Sequence, residues 1–133
     1  VEDLKAIKNN LVHLLCFSAL KKKEIIINKG YIQRSFIPAQ IFTQIIDFIL
    51  KKNFFKNSIV NIFYKTLNLK EIAQIIAKRF KIIFNFDLII KINKFFYKKK
   101  FIEKKNRNLK LNISNKIFFL EIDSILKKLK KII

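Results

Sequence analysis

Lysine is the residue type that gives this chain most of its chemistry. The 133 residues include 29 lysines and arginines against 9 aspartates and glutamates, so the formal net charge is +20 at pH 7. The basic residues are concentrated at 21–23, 51–56, 78–81, 98–105 and 127–131. One such cluster alone is equally well explained as a solvated face. Five clusters together indicate a polyanionic partner, because so many positive charges repel one another unless negative charges lie beside them.

The side chains that accompany the lysines favour structured RNA as that polyanion. Folded RNA is recognised mainly through its shape, its phosphates and its 2′-hydroxyl groups, and lysine, asparagine and serine suffice for such contacts. Each neutralised phosphate releases counterions, so affinity should fall with the logarithm of salt concentration at a slope of about −0.7 to −0.9 per contact. The 15 phenylalanines are most simply core residues, although one or two of them could stack on bases.

Residues for catalysis or metal binding are scarce. His13 and Cys16 are three apart and could supply two metal ligands from one helix, but the chain has one histidine and one cysteine. A zinc site of histidine and cysteine ligands is therefore excluded, and a pair half in the core is the better interpretation. A single glycine excludes a glycine-rich phosphate loop, and Ser35 and Ser114 have no identifiable base. We expect no enzyme, no cofactor, no metal and no small-molecule substrate.

The composition also points to a genome and a compartment. Ile, Lys, Phe and Asn, which A/T-rich codons encode, make up more than half of the chain, and 26 lysines stand against 3 arginines although guanidinium is the better phosphate ligand. This pattern indicates an A/T-rich organellar genome. Hydrophobic residues are 51%, too many for a disordered basic tail. We expect no membrane span, because no uncharged apolar stretch reaches roughly 18 residues, and we see no arginine-rich leader at the start.

Apolar spacing predicts the elements of the first half of the chain. It predicts a helix over 3–20, a strand over 24–28, a turn at Gly30, a helix over 38–52 and a strand over 58–66. Pro38 suits the first turn of the second helix. Five apolar residues of that helix share one face: Ile41, Ile45, Ile46, Ile49 and Leu50.

In the second half, Asn68 with Glu71 three residues later predicts a capping box at the start of a helix over 69–79. Residues 81–86 resemble a strand, and 87–96 could be helix or strand, with helix preferred. Residues 97–108 are charged and weakly structured, 109–113 predict a strand and 120–131 a helix, after which Ile132 and Ile133 could open a strand. Helices and strands that alternate without regular βαβ spacing favour an α+β fold.

The order of these elements resembles that of the universal small-subunit ribosomal protein eight family (the S-eight family), in a divergent mitochondrial-like form. Residues 21–27 resemble its first strand, 45–57 its second helix and following turn, and 62–65 its strand ending in Lys-Tyr. The opening residues match its first helix, where mitochondrial members often also carry a His-Leu pair. These matches are Leu4, Ile7, Lys8 and Asn9 in the helix, and His13 and Leu14 at the pair.

The later matches are partial. Residues 77–84 resemble the family segment Ser-Lys-Pro-Gly-x-Arg-Ile-Tyr and 112–117 its Ser-Thr-Ser-x-Gly-Ile loop, in which Ser114 matches. Residues 124–133 resemble the closing helix but lack the Gly-Gly-Glu that follows it, and about ten extra residues lie around 29–40. The remaining substitutions are Asn53 for a glycine, Ala77 for a serine, Arg79 for a proline, Phe84 for a tyrosine, Asn112 for a serine and Lys116 for a glycine.

The resemblance implies two small α+β lobes, 1–66 and 67–133, each combining helices with a short mixed or antiparallel sheet. It implies a structural constituent of an organellar small ribosomal subunit that binds the central domain of the small-subunit rRNA beside neighbouring ribosomal proteins. The compartment would be the mitochondrial matrix, or alternatively a plastid. The implied RNA-binding residues are Lys8, Asn9, Lys78, Arg79, Lys81, Asn112, Ser114, Asn115 and Lys116. Asn115 could take part of the role of the lost loop glycine, since asparagine tolerates a left-handed backbone.

Two alternatives remain open. The chain could be another organellar ribosomal or RNA-processing protein. It could also be a basic peripheral subunit of a membrane complex, with an amphipathic segment such as 120–133 lying on anionic lipid. A stalk subunit is disfavoured, because no long heptad pattern is present.

Overall fold

The computed structural model describes residues 10–52, 61–63, 65–93, 108–110 and 115–133. Within these ranges lie four helices and six strands, and the predicted α+β class is confirmed. The helices are α1 (Leu11–Lys22), α2 (Ala39–Lys52), α3 (Leu69–Phe84) and α4 (Asn115–Ile132). The strands are β1 (Glu24–Asn28), β2 (Gln33–Phe36), β3 (Asn61–Phe63), β4 (Lys65–Asn68), β5 (Ile89–Asn93) and β6 (Asn108–Lys110).

The strands form three two-stranded sheets. Strand β1 pairs with β5 in parallel, from Glu24 opposite Ile89 to Asn28 opposite Asn93. Strand β2 pairs with β4 antiparallel, and β3 pairs with β6 in parallel. Two of these pairs join a strand that precedes residue 66 to one that follows residue 67, a connection that the division into two lobes did not predict. The boundary itself stays a prediction.

Three helices and two strands form the hydrophobic core, to which β4 contributes Leu67. Helices α1, α3 and α4 pack on one another, and the buried side chains of β1 join the same cluster. Fully buried Ala19 and Ala73 leave room for close packing of the helices. The cluster draws on both sides of residue 66, and its largest fully buried members are Phe80, Ile25, Ile72, Ile76, Ile122 and Leu126.

Several elements lie where the sequence predicts them. Strand β1 spans the predicted 24–28, and the helix predicted over 38–52 begins at Ala39. The capping box is present: the Asn68 side chain accepts from the Glu71 amide at 2.8 Å, and the Glu71 carboxylate accepts from the Asn68 amide at 2.7 Å. The predicted face of α2 is only partly buried, with Ile41 and Ile45 covered and Leu50 76% exposed.

The strand predicted over 81–86 is wrong, and of the two alternatives left open for 87–96 the strand, not the preferred helix, forms over 89–93. Residues 81–84 are the last turn of α3 and not a strand, because Phe80, Ile83 and Phe84, at helical spacing, all pack in the core cluster. Asn85, at φ 51°, ends the helix, and its amide donates to the Lys81 carbonyl at 2.8 Å. Residues 89–93, for which a helix was preferred, form β5 because their backbone pairs with β1.

Three further expectations change. The strand predicted over 58–66 contributes to two sheets, through β3 and β4, and β2 was not predicted at all. Helix α4 is longer than predicted and still includes Ile132, so no strand opens there. The segments 1–9, 53–60, 94–107 and 111–114 and residue 64, with the predictions made for them, lie outside the described residues. In the part of the chain that is described, no helix is long and apolar enough to cross a membrane.

Candidate nucleic-acid interface

The C-terminal ends of α1, α3 and α4 meet at one end of the molecule. Arg79 of α3 bonds to Asp123 of α4, and further along both helices Phe84 lies beside Lys130. Helices α3 and α4 therefore run in the same direction. Leu20, near the end of α1, lines one pocket together with residues from the last turns of the other two helices.

Lysines crowd this end of the molecule. They occupy the last turn of each helix and the position after α1: Lys21, Lys22, Lys23, Lys81, Lys130 and Lys131. A helix C-terminus carries about half a negative charge, so three of them offer roughly −1.5 in total. Lys81 also pairs with Asp87 at 2.8 Å. Six ammonium groups still exceed the charge needed to offset the helix ends and Asp87, so this end is left strongly positive.

A pocket of about 640 Å³ lies between the three helix ends. This volume falls within the range of pockets that hold small ligands. Six of its eight lining residues have apolar side chains and the other two are lysines, so no acidic side chain of the described residues lines it. The lining residues are Leu20, Lys23, Phe80, Ile83, Phe84, Phe86, Lys130 and Ile133.

Both pocket lysines lie over aromatic rings. The Nζ atom of Lys23 is 5.2 Å from the ring centroid of Phe80 and 5.9 Å from that of Phe86. The Nζ atom of Lys130 is 4.7 Å from the centroid of Phe84. These distances fit cation–π contacts, which hold an ammonium group in place without neutralising its charge. Each ammonium therefore remains able to bind an anion.

The three rings of the pocket differ in exposure. Phe80 is buried and packs against Phe84, with ring centroids 4.6 Å apart, and against Phe86, at 6.4 Å and an interplanar angle of 75°. Phe86 is 45% exposed. The pocket therefore presents the exposed ring of Phe86, which packs against the buried ring of Phe80.

Arg79, predicted to contact RNA, is occupied within the protein. Its Nε donates to Asp123 Oδ1 at 2.8 Å and its Nη2 to Asp123 Oδ2 at 2.5 Å. The hydrogen bond to Asp123 raises the pKa of Arg79, and both side chains are mostly buried. This bidentate ion pair uses the same planar set of guanidinium donors that would otherwise bind a phosphate. Arg79 thus joins α3 to α4.

The other predicted site residues do not form one group. Lys78 and Lys81 are exposed in the last two turns of α3. Asn115 and Lys116 are exposed at the opposite end of α4, and Asn115 accepts a hydrogen bond from Lys65 at 3.2 Å. Fifteen residues of α4 separate Asn115 from Lys130, or about 22 Å at 1.5 Å per residue. Lys8, Asn9, Asn112 and Ser114 lie outside the described residues.

His13 and Cys16 both belong to α1, and Cys16 is part of the hydrophobic core cluster. Cys16 is fully buried, and burial raises the pKa of its thiol to about 12, so it stays protonated. Burial also lowers the pKa of His13, against an opposing effect of Glu121. A protonated buried thiol is neither a nucleophile nor a metal ligand. No group of three metal-ligating side chains occurs in the described ranges.

Sequence reasoning did not find the pocket, although it found the lysine clusters around it. The phenylalanines were interpreted mainly as core residues, and the strand predicted over 81–86 would have placed Phe84 and Phe86 on the same face of a sheet. The available signal was the helical spacing of Phe80, Ile83 and Phe84, followed by Asn85, a residue that ends helices in the left-handed conformation.

Comparison of the chain with protein-family models, with curated proteins and with solved structures gave no match in any of the three.

Proposed function

We propose that this protein binds structured RNA through the lysine-rich end of its three-helix core, as a non-catalytic constituent of an organellar small ribosomal subunit. The observation that carries this proposal is the charge at that end. Lysines from three converging helix ends exceed what the helix dipoles and Asp87 can offset, in a chain whose net charge is +20. A polyanion is the partner that relieves such an excess.

A nucleic acid with unpaired bases is favoured over polyanions that lack bases, because the charge accompanies aromatic surface. A strand with exposed bases offers phosphates to the lysines and flat faces to the rings, a combination that single-stranded nucleic acids provide. The assignment to a small ribosomal subunit, to its central rRNA domain and to a mitochondrion or plastid rests on the sequence resemblance to the S-eight family and on the A/T-rich composition.

The direct test is isolation of the native particle. The full chain, carrying an affinity tag, is recovered from its own cells and sedimented with and without ribonuclease treatment. We expect it to travel with small ribosomal subunits, together with their rRNA, and to be released when the RNA is digested. Recovery in a lipid-embedded assembly without bound RNA would contradict the proposal.

The membrane alternative has one observation in its favour. Helix α2 exposes Phe42, Ile46 and Leu50, four residues apart, on one side. In the segment 120–133, which the sequence suggested for this role, most apolar residues of α4 are buried in the core, and Leu120, Ile132 and Ile133 are exposed. Flotation with vesicles of anionic lipid separates the two functions: a peripheral membrane subunit floats with the vesicles, whereas an RNA-bound ribosomal protein stays behind.

A further inference from the structure

We propose that the pocket between the ends of α1, α3 and α4 receives one unpaired base of the bound RNA. Lys23 and Lys130 would turn away from the rings of Phe86 and Phe84 to hold the phosphates on either side of the base, and the rings so uncovered would stack on it. This inference rests on the proposed function for the class of partner and adds the place and mode of contact.

The arrangement of the rings supports stacking. Phe86 leaves 45% of its surface accessible, and the buried ring of Phe80 meets it at 75°. The same buried ring contacts Phe84. Because Phe80 fixes both neighbours, the exposed aromatic surface is preorganised, and little conformational freedom is lost when a base binds.

The charges identify the occupant as a nucleotide and not an apolar peptide. Lys23 enters the pocket from the end of α1 and Lys130 from α4, while the rings come from α3 and the segment just after it. Ammonium groups on both sides of an aromatic patch complement a base with a phosphate before and after it. An apolar peptide segment would leave both charges in a partly covered site without a partner.

The lining of the pocket also predicts how strongly it discriminates between bases. Apart from the two ammonium groups, its lining side chains carry no hydrogen-bonding atom. Recognition by stacking alone tolerates every base, because each has a π face. We therefore expect purines to bind somewhat better than pyrimidines, with no further sequence preference from the lining side chains.

Fluorescence anisotropy with the full chain tests this directly. The probes are a short labelled oligoadenylate and a strand of the same length and charge whose riboses lack bases. The wild type should bind the base-bearing strand about tenfold more tightly, as expected for one stacked base. Phe86→Leu should remove this preference and leave binding of the abasic strand unchanged. Phe42→Leu is the matched control, since Phe42, on α2, is 46% exposed.

The lysines are tested by the salt dependence of the same binding. Lys23→Asn should weaken binding to both strands and make the salt slope shallower by about 0.7. Asparagine suits this position, because Lys23 has a left-handed backbone at φ 57° that asparagine tolerates. Lys70→Gln removes the same charge at the other end of α3 and should leave the slope unchanged.

The outcomes separate the two proposals. Equal affinity of the wild type for both strands, or equal effects of Phe86→Leu and Phe42→Leu, overturns the base pocket while RNA binding stands. Absence of binding to either strand and to folded rRNA overturns the proposed function itself.

In the native particle, a photo-crosslinking phenylalanine analogue at position 86 should yield a nucleotide adduct, and a peptide adduct would overturn the pocket assignment.

Discussion

At the scale of single residues, the structure separates cations that hold the fold together from cations that remain available. Arg79 is one of only three arginines, and both of its bonded nitrogens are taken by Asp123. Lys23 and Lys130 instead rest on rings, which leaves their charges free to act. Residue type alone does not distinguish these roles, because each depends on what the neighbouring helix presents.

The pair of Arg79 and Asp123 predicts a large effect on stability. Asp123→Asn leaves a mostly buried guanidinium without its counter-charge, and we expect the free energy of unfolding in urea to fall by about 3 kcal/mol. The double variant Arg79→Met with Asp123→Leu removes both charges and should recover most of that loss. A single variant as stable as the wild type would show that the pair does not join α3 to α4.

His13 predicts a pH dependence of stability. Burial lowers its pKa from 6.5, Glu121 raises it and Lys128 lowers it, and Nδ1 is buried with no hydrogen-bond partner among the described residues. The unfolded chain therefore binds the proton more readily than the native state. The contribution of neutral His13 is complete above pH 6.5 and is lost as the pH falls from there towards the lowered native pKa.

Urea unfolding at a series of pH values measures this effect. The free energy of unfolding should decrease as the pH falls below 6.5, and His13→Gln should make that decrease smaller. Identical profiles for the wild type and the variant between pH 7 and the onset of carboxylate titration, at about pH 5, would exclude His13 as the source.

At the scale of elements, a local signal decides where α3 begins, and contacts across the fold decide that it continues through residues 81–84. The Asn68–Glu71 capping box fixes the start of α3 because all its partners lie within four residues. The end of α3 is different, since residues 81–84 have the β-branched and aromatic character of a strand yet remain helical where they pack on the core.

Helix α2 predicts a contrast between neighbouring isoleucines. Ile45 is 6% exposed and Ile46 is 37% exposed, so Ile45→Ala deletes buried methyl groups and leaves a cavity. We expect it to lower the free energy of unfolding by roughly 2–5 kcal/mol, with a much smaller loss for Ile46→Ala. Thermal and urea unfolding of both variants measure the difference, and equal losses would mean that the two sides of α2 are misassigned.

At the scale of the whole molecule, α1, α3 and α4 bring their C-terminal ends, and their lysines, to one place. A chain that alternated helix directions would distribute the same lysines over both ends. The strongly positive end is thus a property of the topology, because composition fixes only the total charge.

This charge distribution predicts how RNA affinity responds to salt. Lys78→Gln combined with Lys81→Gln removes two exposed ammonium groups from the end of α3 and should make the slope of log affinity against log salt shallower by about 1.5. Both substitutions keep the helix and spare the Arg79–Asp123 pair. Binding of a central-domain rRNA fragment, measured over a salt series, tests this, and an unchanged slope would remove these lysines from the interface.

The sequence by itself determined the α+β class, strand β1, the start of α3 and the excess of positive charge, because each follows from composition or from residues close together in the chain. Only the tertiary structure decided that residues 81–84 are helical and 89–93 a strand, that Arg79 pairs with Asp123, and that Lys23 and Lys130 flank the same pocket. These outcomes depend on side chains and backbone groups 20 or more residues apart, and a local pattern carries no information about which distant partner will satisfy it.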